Sequence, residues 1–145
     1  MGDVAGYMTH EHRECDELFA KAEAAVDAGD WAGADEQFTA FDNLTRLHLR
    51  REEEVLFPAF EARTGMTTGP TAMMRIEHNQ IRALLVSMTA ALTDRDTEAF
   101  LGEAETLMVL TQQHNMKEEQ ILYPMTDRSL AGDAPDVVDQ MREVD

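Results

Sequence analysis

The residues from His48 to Pro58 recur in pattern from His114 to Pro124, at an offset of 66 positions (48 to 114). Both segments begin His-x-x-x-Glu-Glu and end in a branched aliphatic, Leu, an aromatic ring and Pro. The same offset carries Glu11-His12 onto Glu77-His78, Met8 onto Met74, Leu18 onto Leu84 and Asp30 onto Asp96. A repeat of this kind restricts the chain to two copies of one supersecondary unit. Within each unit, His48 and Glu52, or His114 and Glu118, lie four apart and so on one face of a helix, one turn from each other.

Breaks in the apolar periodicity define that unit as a helical hairpin. Thr9 is read as the cap of a first helix running to about Ala28, with Leu18, Phe19, Ala22, Ala25 and Val26 in helical spacing. Gly29-Asp30 breaks it, and Asp30 caps a second helix through Phe38, Phe41, Leu44, Leu47 and His48. Pro58 is expected to bend or tighten the last turns before Thr64-Gly65 ends this helix. Pro70 or Thr71 opens the third helix, Asp94 to Asp96 turns the chain, and the fourth helix runs through His114 to Pro124. The acidic segment from 133 to 145 reads as either a short helix or a tail. With 145 residues, 43% of them apolar, and only four prolines, the chain is expected to be a single domain over 1–145, its bundle at about 8–130.

The histidines register with the turns. His12 and His48 are equidistant from Asp30, and His78 and His114 from Asp96. In an antiparallel hairpin such residues share a height, roughly 25 Å from the turn at about 1.5 Å per residue. Stacking the hairpins gives an all-α, up-down-up-down four-helix bundle with one layer of four histidines in its core. Glu52 and Glu118 fall about one turn away. Buried imidazoles and carboxylates without partners are costly. The expected ligand set is therefore His12, His48, Glu52, His78, His114 and Glu118, holding two metal ions with the glutamates bridging. Imidazole with carboxylate suits iron ahead of zinc, manganese or copper. No Glu-x-x-His occurs in the chain, which argues against the carboxylate-rich ferritin-like type of site.

Glu11-His12, His48-x-x-x-Glu52, Glu77-His78 and His114-x-x-x-Glu118, followed by Leu56-Phe57-Pro58 and Leu122-Tyr123-Pro124, resemble the hemerythrin-like (HHE cation-binding) family over roughly residues 8 to 126. The resemblance implies a four-helix bundle with a non-heme pair of irons bridged by oxo or hydroxo. It implies reversible binding of dioxygen or nitric oxide, sensing or storage of them, peroxide decomposition, or repair of iron centres. Two departures bear on that choice. The family's oxygen carriers have a further histidine where this chain has Met74; His10, two residues from His12, would lie on a different helix face. The carriers also place their last carboxylate at the position of Glu119, whereas the internal repeat points to Glu118. Irons with fewer imidazoles shift the expectation from oxygen transport toward peroxide or nitric oxide chemistry, or metal handling.

A net charge of −17 argues against nucleic acid and anionic membranes as partners. No apolar run is long enough for a membrane span and no basic-then-apolar leader is seen, so a cytoplasmic location is expected. The single cysteine, Cys15, leaves no internal disulfide and no cysteine-based zinc site. Met73, Met74, Met88 and Met108 read as core filler, and Trp31 as a packing anchor near the first turn. Tyr123 is either a hydrogen-bonding group near the metals or a ring cap. Glu53, Glu54 and Glu119 read as solvated faces, with support of the histidine N–H groups as the alternative.

Overall fold

The computed structural model of the chain describes residues 3–145, so the first two residues of the expected domain lie outside it. Helix α1 spans Val4–Asp27 and α2 spans Trp31–Arg51, continued by a π-helical turn over Glu52–Leu56 and by α3 over Phe57–Thr64. Helix α4 spans Pro70–Thr93 and α5 spans Thr97–Lys117, continued by a second π-helical turn over Glu118–Leu122 and by α6 over Tyr123–Leu130. Every one of these elements in the second half is its first-half counterpart displaced by 66 positions. A short 3₁₀ turn over Ala131–Asp133 leads into α7, Ala134–Arg142.

Local chemistry sets the boundaries. Asp30 and Asp96 cap α2 and α5, their carboxylates accepting from Gly33 N (3.0 Å) and Ala99 N (3.1 Å). Each hairpin turn needs one residue in the left-handed region: Gly29 at φ +74° in the first, Arg95 at φ +54° in the second. Arg95 meets that cost with its guanidinium, which pairs with Asp35 at 2.8 Å and lies 5.3 Å over the Trp31 ring. Gly65, at φ +73°, ends α3 as expected.

Helix α1 packs against α2 and α5, and α2 against α4, which closes the antiparallel four-helix bundle. The histidine layer separates two apolar clusters. Toward the hairpin turns lie Phe38, Phe41, Leu85, Met88, Phe100 and Leu107. Toward the chain ends lie Met8, Leu56, Phe57, Phe60, Met74, Leu122 and Tyr123. Helix α7 buries Val137, Val138 and Met141 in that second cluster, so the acidic terminal segment is a helix closing this end of the bundle. Among the described residues no helix is long and apolar enough to cross a membrane.

Three sequence expectations are corrected. Helix α1 begins at Val4, well before Thr9, because Asp3 accepts from Gly6 N (2.7 Å) and Asp127 of α6 accepts from Val4 N (2.8 Å) and Ala5 N (3.1 Å). The Asp3 cap is a local signal missed in the sequence, whereas the part supplied by Asp127 from the far end of the chain leaves none. The segment before Pro58 is loosened into a π-helical turn, not tightened: Pro58 carries no N–H, and Phe57 N–H instead reaches back to the Glu52 carbonyl. Met73 and Met108 are exposed, with relative accessibilities of 51% and 39%, so only Met74 and Met88 of that group fill the core.

Candidate metal centre

The two π-helical turns place the site's carboxylates and rings together. In an α-helix a residue five positions on sits about 140° around the axis. A π turn bonds residue i to i+5 instead, here Tyr123 N–H to the Glu118 carbonyl and Phe57 N–H to the Glu52 carbonyl. Each ring is thereby brought onto the face that carries the preceding glutamate and histidine. Tyr123 stacks on His12 with centroids 5.7 Å apart, and Phe57 stacks on His78 at 5.5 Å.

All six expected site residues converge. His12, His48, Glu52, His78, His114 and Glu118 are buried, none more than 4% accessible. Nε2 of His78 lies 3.0 Å from Glu52 Oε1, and Nε2 of His114 lies 3.3 Å from Glu118 Oε2. On the other side, Nε2 of His12 lies 3.1 Å from Glu118 Oε1, and Nε2 of His48 lies 3.7 Å from Glu52 Oε1. Ligand atoms of Glu52, His78, His114 and Glu118 fall within 4.8 Å of one another, as do those of His12, His48 and Glu118. Glu118, not Glu119, is thus the inner carboxylate. His10 is outside: its side chain is 72% exposed and faces Glu14. Met74 is buried in the apolar cluster beside the layer and brings no nitrogen to it.

The imidazoles are held from behind. His12 Nδ1 donates to Glu119 Oε2 (2.6 Å), His48 Nδ1 to Glu11 Oε1 (2.8 Å), His78 Nδ1 to Glu53 Oε2 (2.7 Å) and His114 Nδ1 to Glu77 Oε1 (2.7 Å). A carboxylate only accepts, so each Nδ1 carries a proton and each Nε2 faces inward, offering a lone pair whenever its ring is neutral. Glu53 and Glu119 therefore leave the solvated faces expected for them, while Glu54 stays exposed beside Arg50. The roles of Glu11 and Glu77 were missed in the sequence. The available signal was the Glu-His pair itself, repeated at the same offset with no other use for its glutamate. Arg51 pairs with Glu11, Arg82 with Glu53 at 2.7 Å and Lys117 with Glu77 at 2.5 Å, so cations ring this outer layer.

Electrostatics mark the centre as a set of groups awaiting positive charge. Burial disfavours the Glu118 carboxylate, yet His114 and His12 beside it hold its pKa well below the usual range. Glu52 moves the other way, raised by burial and by the Glu118 charge. Burial also opposes the His114 imidazolium, but Glu118 outweighs it and lifts the pKa to about 9. Tyr123 is pushed well above 10 by burial and the two carboxylates. Four inward atoms have no hydrogen-bond partner: Glu52 Oε1, His78 Nε2, His114 Nε2 and Glu118 Oε2. Leaving such groups unsatisfied costs free energy that a bound cation removes. The donor set therefore fits a metal.

A cavity of about 290 Å³ leads to the centre between α1 and α5. His12, His48 and His114 lie at its inner end, Phe19, Phe41 and Leu107 on its walls, and Asp16 and Gln112 at its mouth. Cys15 also lines it, with its thiol pKa raised by burial to about 12, so it is a neutral wall group.

Compared with known families, residues 3–126 match the family model described as the hemerythrin HHE cation binding domain. Comparisons with curated proteins and with solved structures yield no match.

Proposed function

The chain belongs to the hemerythrin HHE cation-binding domain family, and from that premise we propose that it holds two iron ions through His12, His48, Glu52, His78, His114 and Glu118 and binds dioxygen, or a related small molecule such as nitric oxide or peroxide, beside them. The observation that carries the reading is the four unpartnered inward atoms, facing a space from which every competing Nδ1 has been turned away. Iron, once bound, supplies the redox-active centre to which a small ligand attaches. The remaining work belongs to the chain. Glu11, Glu53, Glu77 and Glu119 fix the tautomer of each imidazole and raise its basicity. The apolar walls keep water from the centre while leaving a path for a neutral ligand. Its mouth carries Asp16 and the cavity also touches Glu23, with no lysine or arginine among its lining residues, which disfavours anionic ligands.

The test is a visible spectrum of the purified protein in air, after anaerobic reduction, and after readmitting dioxygen. The reading expects iron-dependent absorption that bleaches on reduction and returns reversibly. Irreversible oxidation with turnover of peroxide would move the protein to redox catalysis at the same centre. A colourless protein holding zinc would overturn the iron reading.

A further inference from the structure

In the rings that stack on the histidine layer, the two halves of the centre differ in one atom. By the internal repeat Tyr123 corresponds to Phe57, and the two rings hold equivalent poses: Tyr123 is 30° from the plane of His12, and Phe57 is 28° from that of His78. Only Tyr123 carries a hydroxyl. That hydroxyl lies 2.6 Å from Glu52 Oε2, 2.9 Å from Glu118 Oε1, 3.2 Å from His12 Nε2 and 3.5 Å from His48 Nε2. It thus touches both Nε2 atoms of the His12/His48 side and one oxygen of each glutamate, leaving only Glu52 Oε1, 3.7 Å from His48 Nε2, out of its reach there. On the His78/His114 side the corresponding atoms are the four without a partner.

Resting on the dinuclear reading above, we propose that the two metal positions load in order, His78/His114 first and His12/His48 second, with the Tyr123 hydroxyl setting the difference. A cation entering between His78 and His114 breaks no hydrogen bond to a side-chain hydroxyl and satisfies four atoms without a partner. One entering between His12 and His48 takes its donors from a buried hydroxyl that hydrogen-bonds a charged carboxylate. Loss of such a bond corresponds to about ten- to a hundredfold in affinity. The centre accordingly passes through a singly loaded state with its metal on the second hairpin. Glu52 Oε1 and Glu118 Oε2, beside His78 and His114, would then serve that metal, while Glu52 Oε2 and Glu118 Oε1 stay with Tyr123.

The experiment is a titration of the metal-stripped full chain with cobalt(II), followed by calorimetry and visible absorption. Wild type takes one equivalent tightly and a second at least about tenfold more weakly. Tyr123→Phe narrows that gap by about tenfold, and Phe57→Tyr weakens the tight step. His12→Ala keeps the tight equivalent; His78→Ala loses it. Two equal equivalents in wild type, or an unchanged gap in Tyr123→Phe, would overturn the ordering while leaving two metals in place. A tight step that survives His78→Ala would overturn it too. Failure of the wild-type chain to take up any metal would instead overturn the dinuclear reading. Should Tyr123→Phe not fold, Phe57→Tyr and the two histidine variants decide the matter.

Discussion

Glu53 and Glu54 are neighbours of identical chemistry, and the structure gives them opposite consequences. Glu53 accepts from His78 Nδ1 at 2.7 Å and bridges to Arg82 at 2.7 and 2.9 Å, and its pKa falls to about 2 because His78 and Arg82 outweigh partial burial. Glu54 meets only Arg50, at 2.9 Å, on an exposed surface. Glu53→Gln keeps the shape but removes the charge, and its NH2, standing in for Oε1, cannot accept from Arg82. Disturbing a carboxylate behind a metal-binding imidazole costs about 10- to 100-fold in metal affinity. That is about 1.4 to 2.8 kcal/mol. Without metal the loss is smaller, below about 1 kcal/mol, because the Glu53–Arg82 pair is partly exposed. Competition between the protein and a chromogenic chelator measures the affinity. Glu53→Gln is expected to fall by the factor above, and Glu54→Gln to stay within about twofold of wild type. Equal losses in both variants, or none in Glu53→Gln, would refute the reasoning.

Other outcomes follow from the same geometry. His48→Ala and His114→Ala each lose metal, measured by elemental analysis, whereas His10→Ala retains it all because that ring stands outside the layer. Leu85→Ala, a deletion in the fully buried cluster toward the turns, lowers unfolding free energy by about 2–5 kcal/mol in denaturant titrations of metal-free protein and leaves metal stoichiometry unchanged. The metal-free chain is expected to be most stable between pH 4.5 and 6.5. The depressed Glu53 pKa gives stability that is present above its ordinary 4.5 and is lost as pH falls toward about 2. The raised His114 pKa gives stability that is present below its ordinary 6.5 and is lost as pH rises through about 9. Thermal midpoints across pH 2 to 10 test this, and bound metal, which replaces the His114 proton, should flatten the alkaline side.

The repeat made most of this architecture legible. Because both hairpins reuse one pattern, the turns at Asp30 and Asp96 and the common height of four histidines followed from spacing alone, and so did Glu118 over Glu119. What stayed hidden depends on contacts between distant segments. The Asp127 cap on α1 comes from α6, and the closing of the bundle end by Val137, Val138 and Met141 depends on a cluster built by α1, α3, α4, α6 and both π turns. The π turns were hidden for a different reason. A π turn needs the same residue types as an α turn, and its only local trace is the proline after each ring. Glu53 and Glu119 looked like surface residues because one turn's difference in helix pitch decides whether they face water or an imidazole on a neighbouring helix. Met73 and Met108 failed for the converse reason, since helical spacing does not say which face the partner covers.

The central claim is tested most directly by anomalous diffraction at the iron edge from crystals of the iron-loaded protein. Two peaks are predicted in the core, one beside His12 and His48 and one beside His78 and His114, with Glu52 and Glu118 reaching both. A single peak, or iron bound only at the acidic surface, would contradict it.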